Sequence, residues 1–364
     1  MRSYLVVFLV AAAAAAFVMP LMVRLAQRVG ALDDTRDPAV PRVGGWAIAF
    51  GAAVALLAVG VVFAPVGATL LGTGESVGAV AIGAAAILLL GTVDDIVPLR
   101  ASLKLAIQIG IALGVYGLGV RVGRVSAPGG SLILGPVTAP LLTVFWLVGV
   151  SNAFNLLDGA DGVATGSAFF SAAAVFLISV ALGHPAGGLV AVALAGALLG
   201  FLPFNFPPAR AFLGDAGSLF IGFVLAGLAV EASTKGPTLV AIAVPLFAFA
   251  VPVLDTTITL VRRVVRGRSP FERDQEHVHH RLQRAGLSPR QVVSVLYVAS
   301  AVFAFTSMLF INPEARSFAV ALLVLGTGGW LVARYLRLHE FNELARIARR
   351  GLLQPKAIVM NVEL

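Results

Sequence analysis

The sequence predicts an all-α polytopic membrane protein of about eleven transmembrane helices, with its N-terminus outside and its C-terminus cytoplasmic. Three observations carry this. Hydrophobic residues make up 59% of the 364-residue chain and charged residues 12%, against about 25% charged in a soluble domain. The apolar residues gather into runs long enough to cross a bilayer, which takes about 20 residues of helix. The basic residues fall on alternate connections, as the positive-inside rule requires.

The expected spans are 3–26, 44–66, 77–93, 101–120, 137–154, 162–183, 186–204, 217–234, 237–261, 291–311 and 316–336. The first, centred on residues 4–25, is too long for a signal-peptide core and is followed by further spans, so it is read as a retained helix. Residues 1–336 then form one transmembrane domain and 337–364 a cytoplasmic tail. With no cysteine there is no disulfide framework.

Orientation follows from lysine and arginine. One set of connections holds Arg24, Arg28, Arg36, Arg42, Arg100, Lys104, Arg210, the run from Arg262 to Arg290, and the tail. Of 26 basic residues, only Arg2, Arg121, Arg124, Lys235 and Arg316 fall on the other side. The net charge of +8 is therefore read as membrane topology and not as a nucleic-acid surface.

The aspartates add an independent signal. Asp33, Asp34, Asp37, Asp94, Asp95, Asp158, Asp161, Asp215, Asp255 and Asp274 all lie in cytoplasmic connections or toward the cytoplasmic ends of spans. Orientation rules do not force acidic residues to one side, and carboxylates at that depth are costly unless paired or metal-bound. Convergence of the loops 27–43, 94–100, 155–161, 205–216 and 262–290 into a cytoplasmic active site accounts for the pattern.

Each constellation has its own chemistry. Asp94 and Asp95 are adjacent carboxylates that repel each other unless a cation is near. They suit a Mg²⁺ ion, or a base, or simply a helix end facing water. Lys104 is a phosphate-side cation or an ordinary snorkelling lysine. Asn152, Asn155 and Asp158 recur every three residues and so share one helical face, with Gly159, Asp161 and Gly162 beyond them. Such a density of amide and carboxylate oxygens suits Mg²⁺ or a nucleotide edge. Gly214-Asp215-Ala216-Gly217-Ser218 allows close backbone approach at a helix N-terminus, a geometry that favours phosphate. His277, His279 and His280, with Arg281 beside them, hold three of the five histidines within four residues. They suit diphosphate binding or proton supply; zinc is the alternative, without a Cys or a His-Glu-x-x-His pattern to support it.

The order of these motifs, from about Asp33 to Leu282, resembles the polyprenyl-phosphate N-acetylhexosamine-1-phosphate transferases. That family includes the bacterial initiators of O-antigen and teichoic-acid linkage synthesis, the muramoyl-pentapeptide translocase and the eukaryotic dolichyl-phosphate enzyme. The resemblance implies that Pro41-Arg42-Val43-Gly44-Gly45 is the first cytoplasmic motif, with Arg42 on substrate. It makes Asp94 and Asp95 the paired aspartates near the acceptor phosphate, with Asp94 the candidate base, and sets Lys104 on the phosphates. It assigns Asn155 and Asp215 to Mg²⁺ (Mn²⁺ as an alternative), and Asn152, Asp158 and Asp161 to the nucleotide side. His277, His279, His280 and Arg281 form the histidine motif, with His279 among the catalytic residues. The preceding Gly-Arg-Ser-Pro-Phe resembles the N-acetylglucosamine-1-phosphate branch. The first loop is shorter than the family pattern and lacks its Arg-Lys-x-His stretch.

The implied reaction is attack of undecaprenyl or a similar polyprenyl phosphate on the β-phosphorus of a UDP-sugar, with release of UMP, as the initiating step of cell-envelope glycan synthesis. The implied partners are the UDP-sugar, the lipid phosphate and the plasma (inner) membrane; a homodimer is compatible with it. A secondary transporter is the rival from another class, but it would place polar residues near the bilayer midplane. A zinc-dependent membrane hydrolase built on His277–His280 is the second.

Overall fold

The computed structural model describes residues 2–33, 38–72, 75–127, 130–233, 248–265 and 277–308. Among these the protein is all-helical apart from two short hairpins. The helices are α1 (Arg2–Val29), α2 (Gly44–Val62), α3 (Ala64–Gly72), α4 (Glu75–Ile96), α5 (Ala101–Gly117), α6 (Thr138–Leu157), α7 (Val163–Ala181), α8 (Pro185–Asn205) and α9 (Gly214–Ser233). They continue with α10 (Ala250–Val265), α11 (Val278–Arg284) and α12 (Pro289–Ser307). The hairpins pair β1 (Leu32–Asp33) with β2 (Val40–Pro41) and β3 (Arg124–Ala127) with β4 (Gly130–Ile133), both antiparallel.

Eight of these helices, α1, α2, α4, α6, α7, α8, α9 and α12, are long and apolar enough to cross a bilayer, and α5 is a shorter apolar helix. The chain is thus a polytopic helical bundle, as its composition predicts. The expected span 316–336, the tail 337–364 and residues 237–247 of the ninth span lie outside the described residues, as do Asp34, Asp37, Asp274 and Gly-Arg-Ser-Pro-Phe.

Several boundaries differ from expectation, and those of α4 and α9 shape the site. The expected span 44–66 ends at Phe63, whose extended backbone precedes α3, and Pro65 sits in the first turn of α3, where its missing N–H has no partner to lose. Helix α4 runs to Ile96 and α9 starts at Gly214, so Asp94 and Asp95 occupy a last turn and Asp215 a first turn. Helix α12 opens with a capping box, Ser288 accepting from the Gln291 N–H while the Gln291 side chain returns to the Ser288 N–H.

Helix α9 is the axis of the bundle. It is the most enclosed of the spans, and α2, α4, α6 and α7 pack around it. Helix α8 is held between α1, α2 and α7. Its contact with α1 is made by backbone: a Cβ added at Gly196 or Gly200 would lie 2.2 Å from the carbonyl oxygen of Phe8 or Ala12. Small residues four apart let two membrane helices approach to this distance, where dispersion replaces the hydrophobic effect as the driving force.

Candidate active site

The site is assembled where α4 and α6 end and α9 begins. The Asp95 carboxylate sits on the start of α9, accepting from the Asp215 N–H at 2.8 Å and the Ala216 N–H at 3.0 Å. A carboxylate there satisfies two orphan donors and complements the positive end of the helix. The approach depends on Gly214, which has φ +70° and whose added Cβ would stand 2.5 Å from Asp95 Oδ2.

Asp94 points elsewhere, accepting from the Leu99 N–H at 2.7 Å and from Lys104 Nζ at 2.6 Å. The same ammonium reaches Asp215 Oδ2 at 2.5 Å. Asp215 Oδ1 accepts from Asn155 Nδ2 at 2.7 Å, which also donates to Ser218 Oγ at 3.0 Å. Four elements therefore meet in one network: α4 supplies Asp94, α5 Lys104, α6 Asn155 and α9 Asp215. One turn away on α6, Asn152 donates instead to Gln108 Oε1 at 2.6 Å, tying α6 to α5 behind the network.

Beside this network lies a cavity of about 330 Å³, lined among others by Arg42, Asp95, Asn155, Asp158, Asp161 and Asp215. Its rim is sewn together by backbone. Phe212 donates to the Pro41 carbonyl at 2.8 Å and accepts from the Gly44 N–H at 2.9 Å, so the first hairpin is fixed to the 205–214 loop. Arg42 donates to Asp33 at 2.8 Å. Burial disfavours the Arg42 charge, and the hydrogen-bonded Asp33 carboxylate more than offsets it, leaving its pKa above the usual value. Asp161 accepts from the Ala209 N–H at 2.9 Å. Asp158 has no side-chain hydrogen bond among the described residues, and burial, then the carboxylates of Asp215, Asp95 and Asp161, push its pKa well above the usual carboxylate range.

The histidines stand outside the cavity lining but against it. His277 and His279 are stacked, with ring centroids 5.7 Å apart and planes 5° from parallel, and His280 tilts on His279 at 4.2 Å. His279 is 1% exposed and its ring packs on Gly159, where an added Cβ would stand 3.1 Å from Cε1. Gly159 lines the cavity. Burial, then the neighbouring His280, lowers the His279 pKa to about 4, so it is neutral at neutral pH. Burial, then His277, lowers that of His280. Arg281 follows in the same short helix α11.

Among the described residues no three acidic or imidazole side chains already converge with the spacing of a metal site. The donor chemistry nevertheless fits a hard divalent cation. Five aspartates, Asp33, Asp95, Asp158, Asp161 and Asp215, face one arginine in the cavity lining, and carboxylate and amide oxygens are the ligands Mg²⁺ takes.

Some contributors were not predicted. Gln108, Asn205 and Asp33 carry no role in the motif reading, yet each holds a predicted residue or loop in place. Asn205 Oδ1 accepts from the Gly162 N–H at 3.1 Å and Thr165 Oγ1 at 2.6 Å, and its Nδ2 donates to the Ala211 carbonyl at 2.9 Å. Gln108 had a legible signal: it lies four residues after Lys104, on the same face of an apolar helix.

Comparison with known proteins identifies the family of the chain. The sequence profile of glycosyl transferase family 4 matches residues 77–233. The chain is 33% identical over 316 residues, 85% of each chain, to a probable undecaprenyl-phosphate N-acetylglucosaminyl 1-phosphate transferase of Bacillus subtilis. It is 35% identical over 335 residues, 82% of this chain and 81% of the relative, to the decaprenyl-phosphate N-acetylglucosaminephosphotransferase of Mycolicibacterium smegmatis. It is 29% identical over 284 residues, 73% of this chain and 75% of the relative, to the undecaprenyl-phosphate alpha-N-acetylglucosaminyl 1-phosphate transferase of Escherichia coli.

Proposed function

The chain belongs to the polyprenyl-phosphate N-acetylhexosamine-1-phosphate transferases of glycosyl transferase family 4, and from that membership we propose its reaction. It transfers N-acetylglucosamine-1-phosphate from its UDP-sugar to undecaprenyl or a similar polyprenyl phosphate, releases UMP, and so initiates a cell-envelope glycan. The reading includes a plasma-membrane location with eleven spans, an outer N-terminus, an inner C-terminus and the active site facing the cytoplasm. Residues 1–336 form the catalytic domain and 337–364 its tail.

The observation that carries the reading is the meeting of Asp94, Lys104, Asn155 and Asp215, from four helices, beside a carboxylate-lined cavity. The cluster stands at helix ends, where a soluble nucleotide sugar and a membrane-embedded acceptor can both arrive. Nucleotide diphosphate and lipid phosphate repel each other, so the site must gather positive charge where they meet.

Lys104 and Arg42 supply fixed cations toward the phosphates. Asp94, held by Lys104 and the Leu99 N–H, orients or deprotonates the acceptor phosphate. Asp95 holds the α9 N-terminus in place, keeping Asp215 and its backbone donors aimed at the cavity. Asp158 and Asp161 face the nucleotide, Asn152, expected beside them, instead braces α6 against α5 through Gln108, and the His277–Arg281 segment balances charge on the leaving side. Asp215 and Asn155 would hold Mg²⁺, with Mn²⁺ as an alternative; when bound, the ion neutralises the diphosphate and activates it for transfer.

The test is direct. Purified protein is given undecaprenyl phosphate, Mg²⁺ and a panel of UDP-sugars, with UMP and lipid product followed by mass spectrometry. UMP release with UDP-N-acetylglucosamine and its loss in folded Asp215→Asn are expected. No UMP release from any UDP-sugar overturns the reading; full activity of Asp215→Asn removes the metal role.

A further inference from the structure

We propose that Asp255 is a positioning residue for the histidine cluster, acting on the transfer reaction through His277; this rests on the functional reading above. Asp255 lies on α10, a helix whose buried stripe is polar: Asp255, Thr259 and Arg263 follow one another four residues apart and are 3%, 1% and 8% exposed. A buried carboxylate at the end of an apolar bundle persists only when its oxygens are engaged. Both are. Asp255 Oδ2 is 2.9 Å from His277 Nδ1, and Oδ1 accepts from the Val278 N–H at 2.9 Å.

This one side chain therefore fixes both a ring and the backbone step that carries it. His277 is the N-cap of α11 and Val278 its first residue, so the carboxylate also supplies a cap from another helix. A carboxylate only accepts, so the Nδ1–H is directed at Asp255 and the ring is held with Nε2 facing away from it. The oriented ring stacks on His279, and His279 packs on Gly159 at the cavity wall. Asp255 is thus the foot of a column, Asp255–His277–His279, whose head stands against the proposed nucleotide site. Removing the foot lets the column turn without touching the cavity lining itself.

A purely structural role makes a different prediction, which a mutant cycle separates. Asp255→Asn keeps an oxygen for the Val278 N–H but presents an amide to His277. In full-length purified protein this variant is expected to lose roughly 10- to 100-fold in turnover, as for partners that orient a functional histidine, with its melting temperature retained. Asp255→Glu should recover most of the turnover. In a His277→Asn background, adding Asp255→Asn should change turnover less than about twofold, because the partner it acts through is gone. Equal losses in both backgrounds, wild-type turnover of Asp255→Asn, or a glutamate no better than the asparagine would each overturn the proposal. Histidine labelling with diethyl pyrocarbonate, mapped by mass spectrometry, reads the pairing without any activity. His277 should react several-fold faster in Asp255→Asn while His184 is unchanged, and an unchanged His277 rate overturns the pairing. If the wild-type chain transfers no sugar phosphate, the functional reading fails, while the labelling result still decides the pairing.

Discussion

Lys104 Nζ lies 2.5 Å from Asp215 Oδ2 across 111 residues of sequence, and the same ammonium lies 2.6 Å from Asp94. One cation thus neutralises two carboxylates from two other helices, one of them the proposed metal ligand Asp215. Lys104→Met is expected to lower turnover about 100-fold, the scale for removing one preorganised charge donor. It should also lower the Mg²⁺ concentration giving half-maximal residual activity, because the ammonium no longer competes for Asp215. A Mg²⁺ titration of the variant checks this; an unchanged requirement argues against Asp215 as a ligand.

Gly214 sets the distance between Asp95 and the start of α9. An alanine there would have φ +70° and a Cβ 2.5 Å from Asp95 Oδ2. The left-handed backbone alone costs about 1–2 kcal/mol, and the clash pushes the carboxylate off the Asp215 and Ala216 N–H groups. Gly214→Ala should lower both the melting temperature in detergent and the turnover. Wild-type values for both would show that Asp95 moves without consequence.

Asp158 and His279 predict opposite changes with pH. The folded-state pKa of Asp158 lies above its unfolded value, so the native state binds the extra proton and stability falls as pH rises past the unfolded pKa. Asp158→Asn should therefore raise the melting temperature at pH 7, lose that advantage in acid, and weaken transfer. His279 has its pKa lowered from 6.5 to about 4. Its stabilising contribution is present above the unfolded pKa and is lost as pH falls from 6.5 toward 4, on the order of 3 kcal/mol over that window. A His279→Phe variant should lose less stability between pH 7 and pH 5 than the parent. Melting curves across that range decide both cases.

How much of this was legible follows from where the polar residues stand. In a chain this apolar, a carboxylate or amide at a helix end is conspicuous, so Asp94, Asp95, Asn155, Asp158 and Asp215 could be singled out from composition and spacing alone. Periodicity placed Asn152 and Asn155 on one face, but one turns to Gln108 on α5 and the other to Asp215 on α9. Spacing along one helix cannot encode which neighbour lies opposite. Asp255 shows the same limit: it was visible as an aspartate, while its partner His277 is defined only once α10 and α11 are packed. Helix ends were misjudged by a few residues at α4 and α9 because hydropathy falls where the first charge appears, whereas the backbone ladder continues through it.

The far end of the bundle offers a control for all of these variants. His184, which precedes α8, has Nδ1 2.9 Å from Glu231 Oε1, near the end of α9, and both are buried. At about 1.5 Å per residue, the helix between Asp215 and Glu231 separates them by roughly 24 Å. Removing one partner of a buried hydrogen bond costs about 1–3 kcal/mol, whereas replacing both partners with apolar groups of the same shape can be nearly neutral or stabilising. His184→Ala should therefore lower the melting temperature sharply, and His184→Leu combined with Glu231→Met should recover most of it. Gly187→Ala attacks the same pair sterically, since its Cβ would lie 2.5 Å from Glu231 Oε2. In each folded variant the KM for the UDP-sugar and the turnover at low temperature should match the parent. A changed KM would mean that the two ends of α9 are coupled, and that the Asp215 network is sensitive to packing a whole helix length away.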